Sequence, residues 1–172
     1  MILSSIGMMA GGKAMDPKFD AQDLKILAIL QERCRLSSQE LSEAANLSPA
    51  TCWRRMRTLE ECGIISAYRA ILDRQVLGLA VCAFVHVSIN RQYSEVVGEF
   101  ERKMMLRPEV LECYATTGDA DFTLRVVAKD IADYDRFLQE FLFELPGVGQ
   151  VRSSIALREI KQTTELPLTA LA

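Results

Sequence analysis

Two hydrophobic periodicities divide this chain of 172 residues. Between residues 20 and 63 the apolar side chains recur every three or four positions, which is the spacing of amphipathic helices. From residue 79 onward, alternating or β-branched segments typical of strands are separated by two further helical stripes. The pattern predicts an α+β protein that is helical in its first part and mixed in its second part.

The first part begins with two short helices. The first is predicted to start after Asp20, an acidic cap, and to carry an apolar stripe of Leu24, Leu27, Ala28 and Leu30. The second follows Ser37, which can form a capping box with Glu40, and stops near Asn46. Only a very short turn then remains before the next helical segment.

A third helix is marked at both of its ends. Ser48 is a cap, Pro49 suits the first helical position, and Gly63 supplies a left-handed stop after about Cys62. Three helices with a tight turn between the second and the third predict a helix-turn-helix. Because residues 64–73 are β-branched and alternating, we expect an extended arm there and hence a winged helix-turn-helix.

The third helix sorts its side chains onto two sides. The core side consists of Cys52, Met56, Leu59 and Gly63, and the solvent side of Ala50, Arg54 and Arg57. Trp53 lies on one flank, Thr51 and Thr58 lie on the other, and Arg55 lies nearer the core edge. Cations and hydroxyls around a small Ala are what insertion into the major groove of DNA requires. The predicted DNA contacts are Ser38, Gln39, Ser48, Pro49, Ala50, Thr51, Trp53, Arg54, Arg55 and Arg57.

The basic character of the chain is local. The chain has 20 Lys and Arg against 23 Asp and Glu, a net charge of -3, yet residues 47–72 hold four arginines and two glutamates. An ordinary solvated helix face is the alternative interpretation of such a cluster. The absence of acids from residues 44–59 and the outward position of Trp53 favour a patch that binds DNA phosphates.

The second part has the predicted order β-α-β-β-α-β, with strands over residues 79–89, 110–117, 122–128 and 150–160. This order is that of the ferredoxin-like fold, whose helices cover only one face of the sheet. The first strand nevertheless carries Cys82, Phe84 and His86 on the other face. We therefore expect a second subunit there, and a dimer would present two recognition helices to a pseudo-palindromic operator.

Five segments follow from these patterns: a disordered extension over residues 1–17, a DNA-binding domain over 18–72, a linker over 73–78, a ferredoxin-like domain over 79–165 and a tail over 166–172. Met15 stands shortly before the first helix, so an alternative is that translation starts there and that residues 1–14 are not part of the native protein. No positive charge precedes the early apolar run, and the five cysteines include no CxxC pair. We expect a cytoplasmic protein without a metal site or a resident cofactor.

Almost the whole chain from Phe19 resembles the Lrp/AsnC, or feast/famine, transcriptional regulators. The resemblance lies in the helix-turn-helix with its "CWRR", and in "TTGDADFTLRV" and "LPGVGQVRSSIALREIKQTTELPL", which look like the family's effector domain, often called the RAM domain. It implies control of amino-acid metabolism genes, assembly of dimers commonly into octamers, and a small amino acid bound between effector domains. Ala120 and Phe122 depart from the residues that are frequent in the family's "GDxDY" motif.

The turn Thr117, Gly118, Asp119, Ala120 and Asp121 offers backbone N–H donors beside carboxylates, which suits the two charged groups of an amino acid. The resemblance further implies effector-response roles for Asp121, Ile131, Ser154, Ile155 and Ala156. Ordinary turn chemistry is the alternative for both aspartates. We expect Asp121 to hold the ligand's ammonium and Asp119 to support the turn.

Two other functions remain as alternatives. An enzyme could use Asp119 and Asp121 as a carboxylate pair, but His86 is the only histidine and lies in the middle of a strand. No nucleophile elbow, phosphate loop or metal cluster is present in the sequence. An amino-acid sensor that acts through protein contacts would not need the helix-turn-helix.

Overall fold

A computed structural model describes residues 19–90 and 94–171 of the chain. These residues divide into two compact units, one formed by residues 19–70 with 163–171 and the other by residues 71–162. The predicted extension over residues 1–17 lies outside the described residues.

The first unit contains a helix-turn-helix, as predicted. Its helices are α1 (Ala21–Glu32), α2 (Ser38–Ala45) and α3 (Pro49–Glu61). Asp20 and Ser37 each form a capping box at the start of their helix, which satisfies backbone N–H groups that have no partner within the helix. Asn46 ends α2 in the left-handed conformation, with a φ of 56°. The chain turns sharply at Asn46, and α3 begins only four residues after the end of α2.

The core of the first unit is small. It consists of the buried side chains of Ile26, Leu30, Leu41, Ala45, Cys52 and Leu59. The predicted stripe of α1 was partly wrong, because Ala28 is exposed and Ile26 is completely buried. Since α1 packs against α2 and α3 from two directions, its buried surface is not a single ideal stripe.

Two segments lie outside the three helices. Residues 66–73, which continue from the first unit into the second, form neither helix nor strand, although an extended arm was expected over residues 64–73. The segment near the C-terminus lies against α1, because the Gln31 side-chain amide donates to the Leu166 carbonyl at 3.1 Å and accepts from the Leu166 N–H at 2.6 Å. A short 3₁₀ turn follows over Leu168–Leu171. No pattern in the sequence predicts this contact with α1.

The second unit has the predicted β-α-β-β-α-β order. Its elements are β1 (Val81–Ile89), α4 (Ser94–Met105), β2 (Val110–Ala115), β3 (Phe122–Ala128), α5 (Ile131–Phe137) and β4 (Val148–Ile155). The strands form one antiparallel sheet in the order β2-β3-β1-β4. A π-helical turn, Leu138–Leu142, extends α5. The predicted last strand was displaced, since β4 begins before residue 150 and ends at Ile155.

The two faces of the sheet differ as the alternation predicted. Val85, Val87 and Leu124 are completely buried with Phe100 of α4 and Leu142 under the helices. The opposite face, which we call the open face, carries Phe84 with 41% of its surface exposed. Strand pairing places Arg125 and Ser154 beside Phe84, and Thr123 and Arg152 beside His86.

Candidate DNA-binding surface and effector pocket

The start of α3 is fixed by hydrogen bonds between hydroxyl and backbone groups. The Ser48 hydroxyl accepts from the Thr51 N–H at 3.2 Å and lies 2.8 Å from the Thr51 hydroxyl. Pro49 needs no donor at the first helical position. The first turn therefore holds one backbone geometry before any partner binds, as a recognition helix requires.

The solvent side of α3 presents a shallow depression lined by Ala50, Thr51, Trp53 and Arg54. Trp53 is 59% exposed, so its ring is accessible to a partner. Among the described residues, the Arg54 guanidinium has no ion-pair partner. It is therefore free to bind a phosphate or a guanine edge.

Arg57 contacts side chains one turn away in both directions along the same helix. Its Nε donates to Glu61 at 2.7 Å, and its guanidinium lies 5.5 Å from the centre of the Trp53 ring. The hydrogen bond to Glu61 raises the pKa of Arg57 above its ordinary value. Arg57 must therefore loosen an existing contact to reach DNA, whereas Arg54 need not.

The structure gives Arg55 another role than the predicted DNA contact. Its Nη1 donates to Asp23 at 2.7 Å and to Asp20 at 3.0 Å, and its Nη2 donates to the Gln22 side chain at 2.7 Å. These bonds join α3 to the start of α1, and only 22% of the Arg55 side chain is exposed. The residue lies at the core edge of the wheel, and its partners come from a distant part of the sequence. Its guanidinium is therefore held by the start of α1, and its contact with DNA stays a prediction.

The predicted contacts at the start of α2 are also accessible. Ser38 and Gln39 are both exposed, and the Gln39 amide donates to Glu43 at 3.0 Å. A helix N-terminus with exposed polar side chains can contact a phosphate beside the recognition helix.

In the second unit, the turn between β2 and β3 borders an open pocket of about 390 Å³ on the open face of the sheet. Its lining residues are His86, Ser88, Thr116, Thr117, Asp119, Ala120, Thr123, Gln150 and Arg152. Three of the five predicted turn residues therefore line it. The Ser88 hydroxyl donates to the Asp119 carbonyl at 3.2 Å and so fixes the turn to β1.

The two aspartates of the turn have different surroundings. The Asp121 carboxylate accepts from the Ile89 N–H at 2.7 Å, and the Asp121 N–H donates to the Val87 carbonyl at 3.0 Å. Asp121 therefore ties the turn to the end of β1, while Asp119 lines the pocket. The Asp121 carboxylate is thus engaged within the turn, and the binding of an effector by either aspartate stays a prediction.

The remaining predicted effector residues are not brought to this pocket within one chain. Ile155 pairs with Ala83, whereas the turn contacts Ser88 and Ile89, which lie toward the other end of β1. Six residues of strand separate Ala83 from Ile89, a distance of about 20 Å. Ile131, Ser154 and Ala156 belong to the Ala83 end, since Ala156 bonds to Cys82 and β3 leaves the sheet there. Both groups could form one site only with residues from a second copy.

Register explains which lining residues the sequence analysis missed. Arg152 and Thr123 flank His86 on neighbouring strands, and Gln150 lies two residues before Arg152 on the same face. Alternation places each of them on a face of its own strand, but cross-strand pairing is not visible in a single sequence.

Neither a metal site nor a membrane span is found in the described part of the chain. No group of three or more metal-ligating side chains is present among those residues. His86 lies 3.2 Å from the Thr123 hydroxyl, which is an ordinary strand-to-strand contact. No described helix is long and apolar enough to cross a bilayer.

A helix-turn-helix with an exposed Arg and Trp, followed by a ferredoxin-like domain with a polar pocket, defines a two-domain DNA-binding regulator. Family models agree: residues 19–66 match a winged helix-turn-helix DNA-binding domain, and residues 82–166 match the Lrp/AsnC ligand binding domain. The chain belongs to the Lrp/AsnC family of transcriptional regulators.

Individual relatives match this chain over nearly their whole length. The chain is 39% identical to the DNA-binding transcriptional activator DecR of Escherichia coli, over 87% of this chain and 98% of that protein. It is 40% identical to the Bkd operon transcriptional regulator of Pseudomonas aeruginosa, over 88% and 99%. A transcriptional regulator of Neisseria meningitidis, solved in complex with L-Met, superposes with a TM-score of 0.86 at 40% identity, covering 90% of this chain and 99% of that one.

Proposed function

We propose that the protein is a cytoplasmic regulator of amino-acid metabolism genes that binds a pseudo-palindromic operator and responds to a small amino acid. The observation that supports DNA binding is the accessible surface at the start of α3, which is formed by Ala50, Thr51, Trp53 and Arg54. A small side chain permits close approach, and an unpaired Arg beside it suits base or phosphate contact.

The proposal that the protein forms a dimer rests on the open face of the sheet. Phe84 is exposed there in the single chain, and a second copy would cover it and bring two α3 helices to one operator. Assembly of such dimers into an octamer is implied by the family.

The proposal that the protein binds an amino-acid effector rests on the pocket beside the β2–β3 turn. It offers carboxylate, guanidinium, hydroxyl and amide groups within one sheet face, which suits a small zwitterion. One relative with 40% identity was solved with an amino acid, L-Met. We infer that an amino acid also shifts the assembly or DNA affinity of this protein.

The proposal is tested by selecting duplexes from a random-sequence pool with the purified protein and sequencing them. We expect an inverted-repeat site whose binding weakens steeply with salt, and whose affinity changes with at least one of the twenty amino acids. Sedimentation in the same buffers gives the assembly state. A protein that enriches no sequence, yet binds amino acids, would instead be a sensor that acts through protein contacts.

A further inference from the structure

The pocket beside the β2–β3 turn contains two opposite charges without ion-pair partners. Within the described part of the chain, the Asp119 carboxylate has no hydrogen bond or ion pair, and the Arg152 guanidinium only donates to Gln150 at 3.3 Å. Other charged groups of this sheet are paired, as shown by Arg125, which lies 2.6 Å from Glu112 on the same face. An acid and a base that line one pocket are therefore both available to a ligand.

The rest of the lining is polar and includes the half-buried imidazole of His86. Ser88, Thr116, Thr117 and Thr123 contribute hydroxyls, and Gln150 contributes an amide, whereas no aliphatic side chain larger than Ala lines the pocket. A pocket for a branched or aromatic side chain would be expected to offer apolar contacts. Its volume of about 390 Å³ lies at the lower end of the range for small-ligand pockets, roughly 300–1,000 Å³.

We propose that this pocket is selective for amino acids with short polar side chains, such as serine, threonine or asparagine, with Asp119 binding the ammonium and Arg152 binding the carboxylate. The inference rests on the proposed function and names the class of effector that the site accepts.

The chemistry follows from the donors and acceptors present. A guanidinium forms two parallel hydrogen bonds to a carboxylate, and a carboxylate accepts from an ammonium, so one zwitterion satisfies both unpaired charges. The ligand's side chain would then meet the hydroxyls of Thr116 and Thr123. A leucine side chain could form no hydrogen bond to this polar lining, so it would lose contacts that a hydroxyl or an amide makes there.

A second occupant is conceivable, because the pocket lies on the open face. Asp119 and Arg152 could instead pair with the same residues of a second copy across a two-fold axis. In that case their removal would weaken the dimer with no amino acid present. Dimer stability without ligand therefore separates the two explanations.

The first experiment is calorimetry on the full-length protein with L-serine, L-threonine and L-asparagine, compared with L-leucine and L-phenylalanine. We expect the polar group to bind at least tenfold more tightly. Serine amide lacks the carboxylate and N-acetylserine lacks the ammonium, so each should bind at least tenfold more weakly than serine. Tighter binding of leucine or phenylalanine would overturn the inference while leaving an amino-acid effector in place.

The second experiment uses Asp119→Asn and Arg152→Gln, with Asp135→Asn and Arg158→Gln as matched controls on exposed residues outside the pocket. The pocket variants should raise the dissociation constant for the polar amino acid roughly ten- to a hundredfold, and the controls should not. Sedimentation without ligand should give one dimer stability for all five proteins. A pocket variant that dissociates without ligand, or that binds serine like wild type, would overturn the assignment.

A DNA measurement distinguishes failure of this inference from failure of the proposed function. Duplexes recovered from a random-sequence pool are titrated with wild type and with the two pocket variants, with and without serine. We expect equal DNA affinity without serine and a response to serine in wild type only. If wild type binds the duplexes but responds only to apolar amino acids, the pocket assignment alone is contradicted. If wild type responds to none of the twenty amino acids, both the pocket assignment and the proposed amino-acid effector are contradicted.

Discussion

Replacing Arg55 by Ala removes the connection between α3 and the start of α1 in the first unit. The guanidinium bonds to Asp20, Gln22 and Asp23 at 2.7–3.0 Å, and 22% of its side chain is exposed. Asp23 is only 13% exposed, so Arg55→Ala would leave a largely buried carboxylate without its charged partner. The expected effect is on stability, and not on DNA recognition.

The magnitude follows from the unequal burial of the partners. Asp20 is 55% exposed, and such a surface pair contributes little. The bond to the shielded Asp23 is charge-assisted, and its loss costs about 1.5–3 kcal/mol. For a domain of this size, each kcal/mol lowers Tm by roughly 4–8 °C. We therefore expect a fall of roughly 6–24 °C in the melting temperature of the unit that contains α3.

The assay is thermal unfolding of wild type, Arg55→Ala and Arg55→Lys, followed by DNA titration well below the transition. Lys keeps the charge but loses the fork that bonds to three partners, so its melting temperature should lie between the other two. DNA affinity of the folded proteins should agree within about threefold, which is less than 1 kcal/mol. Unchanged melting temperatures together with a tenfold loss of DNA affinity would restore Arg55 to the recognition surface.

Three further predictions concern assembly, acid stability and packing. Phe84→Asp places a charge on the open face and should dissociate the dimer, at a cost of several kcal/mol, whereas an unchanged sedimentation coefficient would mean that this face is not the interface. Backbone N–H donation from Asp23 lowers the pKa of Asp20 below 3.8, and hydrogen bonds from Ser37 lower that of Glu40 below 4.5, so both groups stabilise the folded unit above these values. Thermal melts should show this stability being lost as pH falls below these values and through the lowered pKa values of the folded unit, and melts with no dependence on pH there would contradict the capping assignments. Gly147 has a φ of 77°, and a β-carbon there would overlap Val96, so Gly147→Ala should lower stability by about 1–3 kcal/mol in denaturant titration, with an unchanged midpoint as the contrary result.

Local signals predicted the elements of the fold well. Capping residues determine where helices begin, and the caps at Asp20, Ser37 and Ser48 are all present as expected. Alternation likewise separated the buried side of β1 from the side that carries Phe84. Features that depend on contacts between distant residues were not predictable in the same way, which is why Ile26 was missed as the most buried residue of α1.

The candidate sites show the same division. The exposed side of α3 follows from helical periodicity, so Ala50, Trp53 and Arg54 lie where the wheel placed them. The partners of Arg55 lie more than thirty residues away, and the Gln31 contact with Leu166 spans 135 residues. The bond between Asp121 and the end of β1 likewise depends on the register of β1 against β3, which no local pattern encodes.

The most direct test of the account is the DNA affinity of Arg54→Ala, measured by fluorescence anisotropy on the selected duplex and on a scrambled duplex of equal length. Arg54 has no ion-pair partner among the described residues, so its removal should leave the melting temperature unchanged. The account predicts a loss of about 1–3 kcal/mol on the selected duplex, with a smaller loss on the scrambled one if Arg54 contacts a base edge. Binding of the selected duplex with wild-type affinity would contradict the assignment of α3 as the recognition helix.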